Sequence, residues 1–367
     1  KWGSEGSGNG QFGAPLGVAV ASDGSVYVTE EENARVQKFT SGGVFVTKFG
    51  SEGEGNGEFI TPYGVAVTSD GTVYVTDIEL NRIQKFTSEG VFITKWGSGG
   101  TGNGEFSTPY GVVVASDGSI YVSDSDNFRI QKFTSEGVFV TTWGSEGTGN
   151  GEFGIIGNLA VASDGSVYVS DAGNGRIQKF TSEGVFVSKW GSEGTGNGEF
   201  AMAWGVEVAS DGNVYVSDYD NNRIQKFTSG GTFITKWGSG GTGNGEFQSP
   251  LGIAEGSAGN LYVVDSENSR VQRFLDTAIN VSETGSTATF TAVLGVQPPS
   301  DVVLSVTSAD TGEATVSPST LTFTSGNWDS AQTVTVTGVD DATVDGSQVT
   351  TVTIAVVDGS SADAYDS

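Results

Sequence analysis

Apolar and polar positions alternate along most of this chain in short runs, and each run stops at a cluster of Gly, Ser, Asp or Asn. A period of two marks half-buried β-strands, and glycine supplies the positive φ that tight turns between them need. Residues 64 to 96 are typical: GVAVTSDGTVYVTDIELNRIQKFTSEGVFITKW holds the runs VAV, TVYVTD, RIQKFT and VFITKW, divided by S-D-G, a polar loop and S-E-G. This predicts a four-stranded antiparallel meander.

The meander recurs. The string K-W-G-S-x-G-x-G-N-G-[EQ]-F begins at Lys1 and returns, slightly altered, at Lys48, Lys95, Thr142, Lys189 and Lys236, a constant spacing of 47 residues. Residues 1–275 therefore hold six copies of one unit. A lone meander cannot bury both faces, whereas six arranged radially cover one another and leave few edges exposed. The expected architecture is all-β, a six-bladed β-propeller over 1–275. Residues 276–367 alternate Val, Ile, Leu and Phe with Thr and Ser in seven short runs, from AINVSE to TTVTIAVVD, which predicts an antiparallel β-sandwich.

The pattern P-x-G-V-A-V-x-x-D-G-x-V-Y-V-x-D-x-x-N-x-R-I-Q-K-F, met well at 62–86 and 109–133 and with departures elsewhere, resembles the NHL repeat. The resemblance implies a propeller. It fixes no function, since similar propellers serve as protein-binding, RNA-binding and occasionally enzymatic scaffolds. SPSTLTFTSGNWDSAQTVTVTGVDD resembles the immunoglobulin-like and Calx-β-like modules of bacterial and archaeal surface proteins, which resemble spacers and adhesins. Some of those modules bind Ca²⁺ through acids at the domain ends, which implies Glu283, Asp340, Asp341 and Asp345 here; solvated surface acids are the plainer reading.

Charge narrows the partners. All 17 Lys and Arg lie between Lys1 and Arg273, against 44 acids in the chain, and the formal net charge is −27. No basic patch is expected, so nucleic acid and anionic membranes are poor partners. No apolar run is long enough to insert in a membrane. The chain has neither Cys nor His, which removes imidazole acid–base chemistry, thiol nucleophiles and the usual zinc sites. The His-dependent zinc chemistry of the peptide-amidating lyases that resemble NHL propellers therefore does not carry over. A thiol-free, strongly acidic, Gly-, Ser- and Thr-rich chain points to the cell exterior or cell surface.

In each copy an acid precedes an Arg by five residues, from Glu30 and Arg35 to Asp265 and Arg270, a spacing suited to an ion pair across the loop between the second and third strands. The copies differ mainly at the end carrying that loop. The residue two before the first strand's opening Val, Leu or Ile runs Leu16, Tyr63, Tyr110, Gly157, Trp204, Leu251, and the loop adds Leu80, Phe128 and Tyr219. Tyr63, Tyr110, Trp204, Phe128, Tyr219 and Leu80 form a candidate binding face for a glycan or peptide; a plug for the central channel is the competing reading. Asn158, Glu207 and Glu255 replace the common residues on first strands, and Ca²⁺ near the axis is the one ion they suggest, with channel water the simpler account.

The sixth copy stops after its third strand, so the edge Arg270, Val271, Gln272, Arg273, Phe274 and Leu275 is expected to pair only in part with the N-terminal residues, and open edges invite strand addition. The expectation is a non-enzymatic extracellular or cell-surface structural or assembly protein, a filament or surface-layer subunit that associates with itself or with other surface proteins and needs no cofactor. The alternative is a carbohydrate- or peptide-binding adhesin using the aromatic face. A Ca²⁺-dependent hydrolase in the channel is a third reading.

Overall fold

The computed structural model describes residues 1–275, 281, 285–292, 294, 298, 300–340 and 352–357. The chain divides into two compact units, Lys1–Asp276 and Thr277–Ser367. In the first unit each copy folds as the pattern predicts. The first copy gives β1 (Pro15–Val20), β2 (Val26–Glu30), β3 (Arg35–Phe39) and β4 (Phe45–Phe49), and the second β5 (Pro62–Val67), β6 (Val73–Asp77), β7 (Arg82–Phe86) and β8 (Phe92–Trp96). The third gives β9 (Pro109–Val114), β10 (Ile120–Asp124), β11 (Arg129–Phe133) and β12 (Phe139–Trp143), and the fourth β13 (Ile156–Val161), β14 (Val167–Asp171), β15 (Arg176–Phe180) and β16 (Phe186–Trp190). The fifth gives β17 (Ala203–Val208), β18 (Val214–Asp218), β19 (Arg223–Phe227) and β20 (Phe233–Trp237), and the sixth β21 (Pro250–Glu255), β22 (Asn260–Asp265) and β23 (Arg270–Leu275). Each set is an antiparallel sheet in sequence order, four strands in five copies and three in the last. Trp2 supplies a short antiparallel bridge to Val271, its N–H 3.0 Å from Val271 O. An all-β chain of repeated four-stranded meanders fits a β-propeller.

Successive sheets share their cores. Ala19 and Tyr27 of the first sheet pack with Val65, Val73 and Phe86 of the second, and Ala254, Tyr262 and Val271 of the sixth pack with Val18, Val26 and Phe39 of the first. Close approach of the first strands explains a glycine in each: a Cβ on Gly17 would collide with Tyr63 O, and one on Gly205 with Leu251 O. A hydroxyl on the second strand ties neighbours together. Thr29 Oγ1 accepts the Gly17 N–H at 2.8 Å and donates to Tyr63 O at 2.5 Å, and Thr76, Ser123, Ser170 and Ser217 repeat the relay to the next sheet. Outer-strand Trp rings also reach the neighbouring sheet, as Trp96 does at 6.0 Å from Phe133.

The acid–Arg spacing is a buried ion pair in all six copies, at 2.6–3.2 Å from Nε. The Arg does more than pair. In the fourth copy Arg176 donates Nε to Asp171 and its two terminal nitrogens to the carbonyls of Thr148, Gly149 and Glu152, while Gln178 binds Glu152 O and the Gly151 N–H, and Asn174 binds Gly147 O. The N-x-R-x-Q string thus clamps the glycine-rich linker, whose carbonyls would otherwise lack partners. The Lys that follows lies over the second-strand Tyr in five copies, from 4.8 Å for Lys179 over Tyr168 to 5.3 Å for Lys85 over Tyr74.

The second unit holds β24 (Thr287–Ala292), β25 (Val302–Ser308), β26 (Ala314–Ser317), β27 (Thr320–Phe323), β28 (Gln332–Gly338) and β29 (Val352–Val356). Among the described residues they form two three-stranded sheets, β24-β28-β26 and β27-β25-β29, around Val302, Val306, Leu321, Phe323 and Val334. The run expected at 278–283 lies outside the described residues apart from Val281.

Arg176→Met leaves the Asp171 carboxylate buried without its counter-charge and strips the side-chain donor from the Thr148 and Gly149 carbonyls, Glu152 O keeping that of Gln178. The expected loss is about 3–5 kcal/mol of unfolding free energy, measured by urea denaturation against the parent chain.

Candidate functional site

The loop between second and third strands and the loop leading into the first strand lie at the same end of each sheet, joined by backbone hydrogen bonds such as Ile78 N to Thr61 O, Asp126 N to Ser107 O and Tyr219 N to Met202 O. The two tight turns lie at the other end, where Tyr27 Oη of one sheet reaches Ser88 O of the next at 3.1 Å.

At the loop end four of the six sequence candidates converge. Tyr63 and Tyr110 meet edge to face at 4.9 Å, Tyr110 and Trp204 at 5.2 Å, Tyr63 and Trp204 lie 6.4 Å apart, and Trp204 and Tyr219 6.3 Å apart. Residues from the second, third and fifth copies therefore form one cluster. The intervening copy has Gly157 in place of an aromatic, and a Cβ there would press on Ser170 Oγ and on the Trp204 backbone. All four rings are half-buried. Burial raises both phenols, Tyr63 well above its ordinary value, and the carboxylates of Glu31 and Asp126 push Tyr110 the same way. Trp204 Nε1 falls short of a hydrogen bond, yet lies close enough to the Tyr63 oxygen to favour its ionised form slightly. The outer-strand indoles Trp2, Trp96, Trp143, Trp190 and Trp237 have the same orphaned N–H, so this is no mark of a ligand.

Phe128 and Leu80 stand on the loops and join none of these ring pairs. Phe128 closes a short 3₁₀ turn with φ +54°. Leu80 occupies the place of the linker-binding Asn33, Asn127, Asn174, Asn221 and Asn268. The consequence is local: Asp77, without that amide donor and with Arg82 at 3.2 Å, is pushed by burial above the usual carboxylate range.

Of the edge candidates, Arg270 and Gln272 are committed to Asp265 and to the linker carbonyl of Glu246, and Arg273 donates to Ser41 O at 3.2 Å. Phe274 packs against Trp237 and Phe247, each at 5.7 Å. Leu275 ends the strand.

The carboxylate candidates do not assemble into a metal centre. Asn158 Oδ1 accepts the N–H of Leu159, Asp340 is exposed, and Glu283, Asp341 and Asp345 lie outside the described residues. Among the described residues no group of three or more acids is placed to hold an ion. Glu207 and Glu255 do meet between the fifth and sixth sheets: the Glu255 N–H donates to Glu207 Oε1 at 3.0 Å, and the Glu255 carboxylate accepts Ser210 N and Oγ at 2.7 and 3.1 Å. Glu207 keeps slight solvent contact but is ringed by protein. Burial, with the Glu255 charge adding to it, raises its carboxyl to about 8.

The NHL repeat model matches residues 12–39, 106–133, 157–180, 200–227 and 247–274. No curated protein matches the sequence. Among solved structures, a protein of unknown function from Bacteroides thetaiotaomicron is 19% identical, with 74% of each chain covered and a TM-score of 0.59. A streptogramin B lyase is 18% identical over 73% of this chain and 85% of its own, TM-score 0.51. A gluconolactonase from Xanthomonas campestris is 14% identical over 70% and 85%, TM-score 0.52.

These neighbours overturn the expectation of a non-enzymatic protein, because the fold is one on which a lyase and a lactonase are built. The exclusion had a physical gap. Lack of His and Cys removes imidazole and thiol chemistry but not a carboxyl that keeps its proton near neutrality, as Glu207 does. That proton also sets a pH dependence. The unfolded chain releases it from about 4.5 upward and the folded chain only near 8, so stability is full below 4.5, falls across that window and is flat above it. Glu207→Ala, matching Ala19, Ala66, Ala160 and Ala254, is expected to remove this slope and raise stability at pH 8, read by urea denaturation at pH 5 and pH 8. Matched repeats, shared cores and structural neighbours agree on one conclusion: five stretches of the chain are similar to the NHL repeat, and its repeated four-stranded sheets fit a propeller-like fold.

Proposed function

We propose that this is a recognition protein of the cell exterior, a closed six-bladed propeller whose loop end binds a carbohydrate or an extended polypeptide through Tyr63, Tyr110, Trp204 and Tyr219, joined to an immunoglobulin-like or Calx-β-like sandwich. The observation that carries the reading is the convergence of four rings at the variable end, while the turn end stays nearly uniform from copy to copy. Packing of the sixth sheet on the first supports the closed ring. Half-buried rings, three of them on first strands, offer large contact area at little entropic cost. Expected on glycan and peptide arrays is retention that Trp204→Ala or Tyr110→Ala abolishes, while circular dichroism and the melting temperature stay within a few degrees of the parent. Retention unchanged in both variants overturns the reading.

A further inference from the structure

The four-ring cluster sits inside a rim of carboxylates. The loop residues Glu32, Glu79, Asp126, Asp220 and Glu267 are all exposed, and only the fourth copy, with Gly173, lacks an acid at that position. Glu31 is exposed beside them, and its charge is felt by both Tyr63 and Tyr110.

No base answers these acids. All 17 Lys and Arg stand elsewhere in the repeats. Six Arg are buried in the ion pairs. Five Lys lie over tyrosines near the turn end, and Arg273 reaches Ser41 O there. Lys48, Lys95, Lys189 and Lys236 stand on the outermost strands, at the sheet edge away from the cluster, and Lys1 lies beside the bridge to Val271.

Aromatic faces carry negative potential, and carboxylates around them deepen it, so such a surface attracts cations and repels anions. We propose that the loop end recognises a basic extended polypeptide, a Lys or Arg head seated against Tyr110 and Trp204 and neighbouring basic side chains paired with the acidic rim. The inference rests on the recognition reading above and names its ligand class. A phosphorylated or sulfated ligand is excluded by the same charges. A neutral glycan would find stacking surfaces but leave the rim unanswered.

The test is calorimetric titration of the full chain with three probes: a ten-residue peptide of alternating Lys and Gly, the same peptide with every lysine acetylated, and a neutral β-glucan hexasaccharide. Expected is binding of the lysine peptide, weakened about tenfold or more by acetylation and about tenfold by Tyr110→Ala or Trp204→Ala. The double variant Glu31→Gln, Glu79→Gln should weaken it several-fold and flatten its salt dependence. The turn-end triple Glu89→Gln, Glu136→Gln, Glu183→Gln removes more charge and should change it less than twofold. If the acetylated peptide or the glycan binds as well, and Trp204→Ala abolishes that binding, the cationic class is wrong while the aromatic face stands. Lysine-peptide binding indifferent to Tyr110 and Trp204 reduces to the bulk charge of −27 and overturns the proposal. Failure of all three probes to bind overturns it together with the recognition reading.

Discussion

The structure depends on one buried constellation, a carboxylate, an Arg and a glycine-rich linker. The linker has few side chains to bury and many carbonyls to satisfy, and by itself would stay disordered. Each Arg offers five N–H groups in a fixed fork, one side for the acid and the rest for the linker carbonyls. Charge neutralisation and backbone satisfaction are thus the same event. Neither partner is worth burying alone, which is why the pair is buried in every copy, although the acid is Glu in one and Asp in five.

With the linker clamped and the cores shared, variation is tolerated chiefly at the loop end. The residues of the cluster are mounted there on backbone that cannot drift: the carbonyls of Tyr63, Tyr110 and Trp204 are the acceptors of the hydroxyl relay from the preceding sheet. Geometry that holds neighbouring sheets together therefore also aims the aromatic side chains. Rigidity of this kind favours recognition, because little ordering remains to be done when a ligand arrives.

Much of this was legible in the sequence. The 47-residue period, the strands, the turn glycines and the five-residue acid–Arg spacing all follow from local chemistry, and local chemistry is nearly identical in each copy. Less legible was anything that depends on which copies face one another. Tyr63, Tyr110 and Trp204 could be singled out as variable, but their contact with one another, that of Trp204 with Tyr219 and the exclusion of Phe128 depend on where the side chains lean. Leu80 looked like a surface anchor. Its larger effect is to withhold an amide from Asp77, a signal present in the alignment of copies as the one missing Asn. Glu207 was visible as a misplaced carboxylate, and only its enclosure between two sheets raises its carboxyl.

Departures from the repeat concentrate where the sixth sheet meets the first. Val264 stands where the other five copies have the Thr or Ser of the relay, so no hydroxyl crosses to Leu16 O, and Arg273 replaces the Lys over Tyr. Each change removes a small cohesive contribution, of order 0.5–1.5 kcal/mol for a hydrogen bond or a cation over a ring. What remains at this seam is the shared core, the Trp2 bridge and the Tyr262 and Arg273 contacts to Ser41 O. Cohesion there comes more from apolar burial and less from directional bonds than at the other five junctions. A junction of that kind can shift by small amounts while breaking few directional bonds.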